Sequence, residues 1–592
     1  MSLRAVKHAE ILIQPLVTGP TAGWEGHHAT NPCCMRLSLD PRVFLGYRAG
    51  GTADYFRVDV HDVWASHLGL AVLDARGEQV THRLPLPIFA IERSVWLPQD
   101  KEEFDAHQQG PHRDQILVLH DFRFWEDGPW LYMIYHEGSV TQVFDCIVRM
   151  PAADFLARVD RSIELTASPV EEIMDEWRAL WWAPGVWEPA GVGGTNRIYS
   201  SWANKNDIVF IRLTDGSLRM FHRPVPDVAI VDTRGRTHCP SSEAGIADFG
   251  VVQSSIRPGR FDNSHIGCNG TPIRAGVGSQ PLFVDVVHGV HNRTLCDEDG
   301  SGWRLFYLPY LRLVDADTGE CLYWSSEPLL MADETWREFV EEGEWVRDLA
   351  HLDGVMFAGG QVEAEAGKIG PDDLFHFYTG VGDTAVARAS FRLRDVVPPH
   401  VLADIEARRA RRPIRLECEP CSTVALPEPL CGWEWAIEGD GPARQLAVVR
   451  RLGEREIRRP VTGRPGFFDA DGIFYDGQAP ERVEGLGWLL PFRGVRWENG
   501  PAGPITVASL GVMALDLECP ERILYRSDEP IGATTQTAGW SAGTAPEPPA
   551  GPLSECVPAQ VRDEVRRILE RRPMGQDMAR HLRIESGLED AP

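Results

Sequence analysis

The 592-residue chain is predicted to be all-β, of the propeller or sandwich type. Short runs dominated by β-branched and aromatic residues recur from about residue 30 to 395. The gaps between them are rich in Gly, Pro, Asp and Asn, the residues that turn a chain. Helices do not alternate with the runs, which argues against a parallel α/β sheet and for successive hairpins.

The predicted strands are VFLGYRA (43–49), WLYMIYHEG (130–138), DIVFIRLTDGSLRMFHR (207–223), LFVDVVHGV (282–290), WRLFYLPYLRLVDADTG (303–319) and DLFHFYTGVGD (373–383). Four helices are expected. PVEEIMDEWRALWW (169–182) and DETWREFVEEGEWVRDLA (333–350) each carry an apolar face, and VLADIEARRARR (401–412) closes the first domain. Near the C-terminus, Val561, Val565, Ile568 and Leu569 fall at i, i+4, i+7 and i+8, an amphipathic helix that follows a Pro/Gly/Ala-rich linker over 540–555. An internal repeat adds a second β module. GLGWLLPFRGVRW (485–497) and LGVMALDLECPERILYRSDEPI (510–531) echo LFVDVVHGVH (282–291) and YLRLVDADTGECLYWSSEPLL (310–330), both ending in Ser-x-Glu-Pro. The expected division is therefore 1–412, a β-rich accessory region over 413–540, and a linker with terminal helix over 541–592.

Composition bounds the function. Acidic side chains number 86 against 59 basic, a net charge of -27, which excludes general nucleic-acid binding through a basic face. Neither a secretory signal nor an apolar run of membrane-spanning length is apparent, so a cytoplasmic protein without membrane attachment is expected. The twelve cysteines form no framework and read as reduced thiols. Cys418 and Cys421 form a lone CxxC with Cys431 nearby but no obvious fourth ligand, so no metal is expected. GVGGTN (191–196) lacks the Lys-Ser/Thr of a nucleotide loop. The runs Glu126-Asp127 and Glu341-Glu342 read as solvated turns and faces.

Five patches, taken in order, resemble glycoside hydrolase family 130 over residues 28–400. They are Asn31-Pro32 with Tyr47-Arg48-Ala49, HDFRFWEDGPWLYMIYHEG (120–138), NKNDIVFIRLTDGSLRMFHRPVPD (204–227), TPIR (271–274) with HGV (288–290), and VMFAGG (355–360) with FYTGVGDT (377–384). The resemblance implies a five-bladed β-propeller and inverting phosphorolysis of β-mannosides to mannose 1-phosphate. It makes Asp121 the catalytic acid. Lys205, Arg223, Arg274 and His288 become the phosphate ligands, and Arg48, Arg123, Tyr307 and Asp383 line the sugar pocket. The implied partners are a disaccharide or oligosaccharide and inorganic phosphate as co-substrate, with no cofactor. Two positions depart from the family pattern: His120 and Phe122 stand where it has Glu and Pro.

The chemistry is consistent with those residue types. Phosphate as nucleophile must be neutralised beside an anionic acid, and guanidinium forks match its oxygens. A hydrolase needs instead a second carboxylate to activate water. Asp121 as general acid needs burial or a neighbouring charge to keep its proton, and Phe122, Phe124 and Trp125 offer an apolar wall. Two alternatives stand beside phosphorolysis: a β-mannoside hydrolase of the same family, and a non-catalytic carbohydrate-binding propeller. Trp181, Trp182 and Trp187 read first as packing under a loop and second as a stacking platform. Residues beyond 413 are open to an acceptor-side role or a homo-oligomer contact.

Overall fold

The computed structural model describes residues 9–16, 22–51, 55–58, 61–64, 66–90, 118–138, 143–164, 197–201, 208–222, 229–232, 251–254, 263–295, 302–325, 327–330, 356–382, 384–408, 433–438, 445–452, 455–460, 472–475, 480–484, 486–500, 503–515, 523–532, 534–538 and 552–570, with isolated positions 18, 177, 180, 181, 467 and 469. The fold is mostly β with few helices, as predicted. Up to residue 391 the described strands form five antiparallel sheets of four or five strands in chain order, and Tyr55–Val58 and His61–Trp64 form a further two-stranded hairpin. The first sheet holds His28–Arg36, Val43–Gly50, His67–Leu73 and Val80–Arg83. The second holds Val118–Asp127, Trp130–Gly138, Val143–Pro151 and Arg197–Ser201. The third holds Val209–Arg212, Leu218–His222, Ala229–Asp232 and Val251–Ser254, so the single run predicted over 207–223 is a hairpin turning at Gly216.

In the fourth sheet Asn263–Gly267 and Ile273–Val277 both pair with the long strand Gln280–Leu295, followed by Gly302–Asp315 and Cys321–Trp324. The fifth is Met356–Glu363, Phe375–Val381 and Ala385–Phe391, and its outer place is taken by the N-terminal strand Ala9–Ile13.

Apolar side chains face each other between every consecutive pair of these sheets. Phe44, Leu68 and Leu70 meet Phe124, Met133 and Tyr135 between the first and second. Ile134 and Ile147 meet Phe210 and Met220 between the second and third. Val209 and Phe221 meet Phe283 and Val287 between the third and fourth. Val284 and Leu311 meet Phe377 and Ala387 between the fourth and fifth. Leu45 and Tyr47 meet Tyr378 and Val386 between the first and fifth.

Polar clasps reinforce the seams. Glu126 accepts hydrogen bonds from the Ser38 amide and hydroxyl, both at 2.8 Å, while Asp127 pairs with Arg212. The Glu126-Asp127 run therefore joins three sheets and is not a merely solvated turn. At the fourth-sheet seam Arg312 and Asp285, both fully buried, form an ion pair, with the guanidinium 4.1 Å from the Phe221 ring centroid.

The helix Ala152–Glu164, not foreseen in the sequence, buries Ala152, Phe155, Val159 and Ser162 against the first and second sheets. Pro399–Arg408 and Ala559–Glu570 match two expected helices. The segments 333–350 and 169–176 lie outside the described residues, as do Cys418, Cys421 and Cys431. No helix of the described residues is long and apolar enough to cross a membrane.

Strands between Trp433 and Ala538 form a separate nine-stranded sheet. Its pairing reproduces the sequence repeat. Ser325 exchanges hydrogen bonds with the Leu311 backbone, and Ser527 does the same with Val512. The Leu329 amide bonds the Pro309 carbonyl, and the Ile531 amide bonds that of Leu510. His288 stands opposite Pro309 as Arg493 stands opposite Leu510, so Arg493 occupies the His288 position of the second module.

Candidate active site

The first strands of three sheets bulge where they approach one another. Register slips between Thr30 and Cys33, between His120 and Arg123, and between Ala358 and Gly360. A bulge re-aims side chains and ends ladder pairing locally. Asn31 and Asp121 lie within the first two and are the non-glycine residues of the described chain with positive φ, at 42° and 55°. Asn and Asp tolerate the left-handed region better than other side chains, and such strain concentrates at functional sites. The third bulge lets backbones touch: a Cβ on Gly359 would stand 1.5 Å from the Pro32 carbonyl oxygen.

The strained pair meets. Asn31 Nδ2 donates to Asp121 Oδ1 at 3.2 Å, and both side chains are buried. The other carboxylate oxygen, Oδ2, lies 3.1 Å from His136 Nδ1 and 3.8 Å from His120 Nδ1. His136 Nε2 in turn lies 2.6 Å from Asp145 Oδ1. Strand register explains the alignment. His120 is directly opposite His136, and His136 directly opposite Asp145, so three adjacent strands present one polar rung. Burial acts to lower the His136 pKa, but the carboxylates of Asp145 and Asp121 outweigh it and hold the imidazole above its usual 6.5. The donor atoms of His120, Asp121 and His136 fall within 4.8 Å of one another. Within this group the His136–Asp121 contact is a hydrogen bond at 3.1 Å, and on the other side of the ring Nε2 stands 2.6 Å from Asp145 Oδ1 as an ion-pair contact that lacks hydrogen-bond geometry.

The remaining predicted residues fall into three groups. Arg48 is buried on Val43–Gly50, directly opposite Thr30 and one residue from Asn31 across the ladder. It belongs to a basic sheet end, where burial, then Arg48, His27 and His67, hold His28 well below its usual pKa. His288 is buried, with Nδ1 against Asn269 Oδ1 and its ring 4.7 Å from Phe357 and 5.5 Å from Tyr307. Tyr307 is partly buried, paired with Val290 on the neighbouring strand.

Two arginines are used differently from the expectation. Arg123 is fully buried, and its guanidinium donates to the carbonyls of Asp121 at 2.6 Å and Cys268 at 2.9 Å. It fixes the backbone of the strained aspartate from below. Arg274 is exposed, donates to the Arg212 carbonyl at 2.5 Å and lies 5.4 Å from the Phe283 ring centroid. Arg274 pairs with Phe283, five residues from His288 on the same strand. The odd spacing sets them on opposite faces, roughly 16 Å apart along the strand at about 3.3 Å per residue. The structure therefore does not bring Arg274 to His288. Lys205, Arg223 and Asp383 lie outside the described residues, as do Trp182 and Trp187. Trp181 is core, with its indole NH donating to the Ile88 carbonyl.

The sequence patterns do not single out His136, Asp145 or Asn269 as site residues, nor Asn31 as the partner of Asp121. The alternation in WLYMIYHEG placed His136 on a strand, but only the register sets it between two acids.

No protein-family model matches the chain, and neither does any curated protein. Solved structures similar to it include a glycosyl hydrolase from Bacteroides ovatus at 16% identity and TM-score 0.41, covering 66% of this chain and 95% of that one. Another belongs to work on the GH130 family of mannoside phosphorylases, which contains glycoside hydrolases that target β-1,2 mannosidic linkages in Candida mannan; its identity, TM-score and coverage are 16%, 0.41, 66% and 95%. A third is MPT-1, a GDP-Man-dependent mannosyltransferase from Leishmania mexicana, at 13% identity and TM-score 0.34, covering 65% and 89%.

Proposed function

We propose that the chain is a carbohydrate-active enzyme that cleaves a glycosidic bond with inversion, with Asp121 as the proton donor and a β-mannoside as substrate. One observation carries the reading: a buried aspartate held in the left-handed region of a strand bulge, its carboxylate oriented by Asn31 from the adjacent sheet and by His136. Such strain persists only where the surroundings over-determine it, and that is characteristic of catalytic positions. The continuous ring of apolar seams supports a five-bladed propeller over residues 1–412, in which the bulged first strands surround the axis. The nine-stranded sheet then belongs to an accessory region over 413–540, and the helix Ala559–Glu570 follows a linker.

Proton donation lowers the barrier to departure of the sugar leaving group, typically by a factor of about 10²–10⁴. Inorganic phosphate is the acceptor in our first reading, with mannose 1-phosphate as product and no cofactor; the cytoplasm, where phosphate is plentiful, is the matching compartment. A second reading, with water as acceptor, is favoured by one specific observation: Arg274 is engaged with main-chain carbonyls on the far face from His288.

The test is sugar release from β-1,2- and β-1,4-mannobiose and mannosyl-glucose, with and without phosphate. Mannose 1-phosphate formed only with phosphate supports the first reading, and free mannose formed regardless supports the second. Binding of these sugars without turnover under either condition would replace both with a carbohydrate-binding role.

A further inference from the structure

The polar rung at Asp121 contains one more proton than its parts carry at neutral pH. Both nitrogens of His136 face carboxylate oxygens, Nδ1 towards Asp121 Oδ2 at 3.1 Å and Nε2 towards Asp145 Oδ1 at 2.6 Å. A neutral imidazole has a single N–H, so with both acids ionised one of these contacts would set lone pair against lone pair. In a site this dry, that repulsion is costly. Among these three side chains, two protonation states relieve it. Either the ring is doubly protonated between two carboxylates, or it is neutral and one carboxyl holds the proton. Each state contains the same extra proton.

We propose that Asp145 and His136 form a proton-holding pair for Asp121. The imidazole passes its Nδ1 proton to Asp121 Oδ2, the carboxylic acid so formed gives that same proton to the departing sugar oxygen, and the ring is left neutral; Asp145 stabilises the charged ring beforehand. The proposal rests on the reading of Asp121 as proton donor. Protons balance over a turnover: the one delivered to the leaving group is replaced by the one that the attacking water or phosphate releases.

The charged or titratable groups facing His136 among the described residues are Asp121, Asp145 and His120, whose ring centroid is 5.3 Å away. Asn31 occupies Asp121 Oδ1, which leaves Oδ2 to the ring. Asp145 and His136 do not act on substrate themselves; they are positioning residues acting through Asp121.

The pair can be tested without any substrate. Histidine ring resonances in ¹⁵N-labelled protein, with His136 assigned by its loss in His136→Gln, should give an imidazole that titrates above 6.5. The midpoint should fall in Asp145→Asn and again in Asp121→Asn. A His136 that stays neutral through pH 5–8 would overturn the proposal, as would a midpoint indifferent to both substitutions. So would a stoichiometric divalent metal in the purified protein with no His136 titration. A substrate arm follows. His136→Gln should lose about 10²-fold in kcat/KM on a mannobiose, its alkaline limb moving to lower pH, while an aryl β-mannoside with a good leaving group is cleaved within a few-fold of wild type. Equal losses on both substrates would reduce His136 to a structural role. A wild-type chain that shows the titration but cleaves no glycoside would retain the pair and remove the proposed activity.

Discussion

Replacement of Asn31 separates backbone strain from side-chain positioning. The residue sits at φ 42° and donates to the Asp121 carboxylate at 3.2 Å. Asn31→Gly removes the hydrogen bond, worth about 1.5–3 kcal/mol to a charged acceptor, and leaves the backbone conformation unstrained. Asn31→Ala removes the same bond and keeps the Cβ that Asn31 already carries in the left-handed region, so it should be about 1–2 kcal/mol less stable than the glycine variant. For a body of about 400 residues the unfolding entropy is roughly 0.8 kcal/mol/K, so Tm should fall by about 2–4 °C for Ala and by about 1–2 °C less for Gly. Both variants should lose about 10²-fold in kcat, because each leaves the acid free to rotate away from its productive orientation. Differential scanning fluorimetry and mannobiose cleavage measure the two effects. An Ala variant as stable as the Gly variant would refute the left-handed assignment. Full activity in both would refute the claim that Asn31 orients Asp121.

Three further outcomes follow from the packing and charge. Arg312→Met should destabilise by about 3–5 kcal/mol because it strands the fully buried Asp285 carboxylate, whereas Arg312→Met with Asp285→Leu should recover most of that loss in thermal melts. Gly359→Ala should abolish the native fold, since its Cβ meets the Pro32 carbonyl at 1.5 Å, backbone against backbone, as judged by circular dichroism and soluble yield. The His136 pKa is raised in the folded chain, so its contribution to stability is fully present below about 6.5 and is lost as pH rises through the folded value. His136→Gln should therefore flatten that part of the Tm-against-pH curve, and an unchanged curve would contradict the buried ion pair.

The strand runs were legible because alternation and turn residues are local. Trp130–Gly138 matches its predicted bounds, and Val43–Gly50 extends its prediction by one residue. The helix Ala152–Glu164 was legible too, since Phe155, Leu156, Val159 and Ile163 fall at helical spacing on one face, and only the sheets they pack against are not encoded locally. Asp121 stood out in the sequence through the resemblance of its patch to glycoside hydrolase family 130, with an aromatic flank suited to an acid. Its partners did not, because Asn31, His136 and Asp145 reach it through strand register and a bulge, which no spacing along the chain encodes. Arg123 and Arg274 show the converse. A basic residue near a signature turn invites a ligand role, yet both guanidiniums are engaged with main-chain carbonyls. The basic sheet end around Arg48 was legible only in part: Arg48 drew attention, while His27, His28 and His67 gained meaning from the pairing of three strands.

The role of Asp121 as proton donor is decided by Asp121→Asn, assayed on mannobiose and on an aryl β-mannoside whose leaving group needs no proton. The substitution should cost about 10²–10⁴-fold on the disaccharide and leave the aryl substrate cleaved at close to the wild-type rate. Disaccharide cleavage that persists undiminished in Asp121→Asn would contradict the assignment of Asp121 as proton donor.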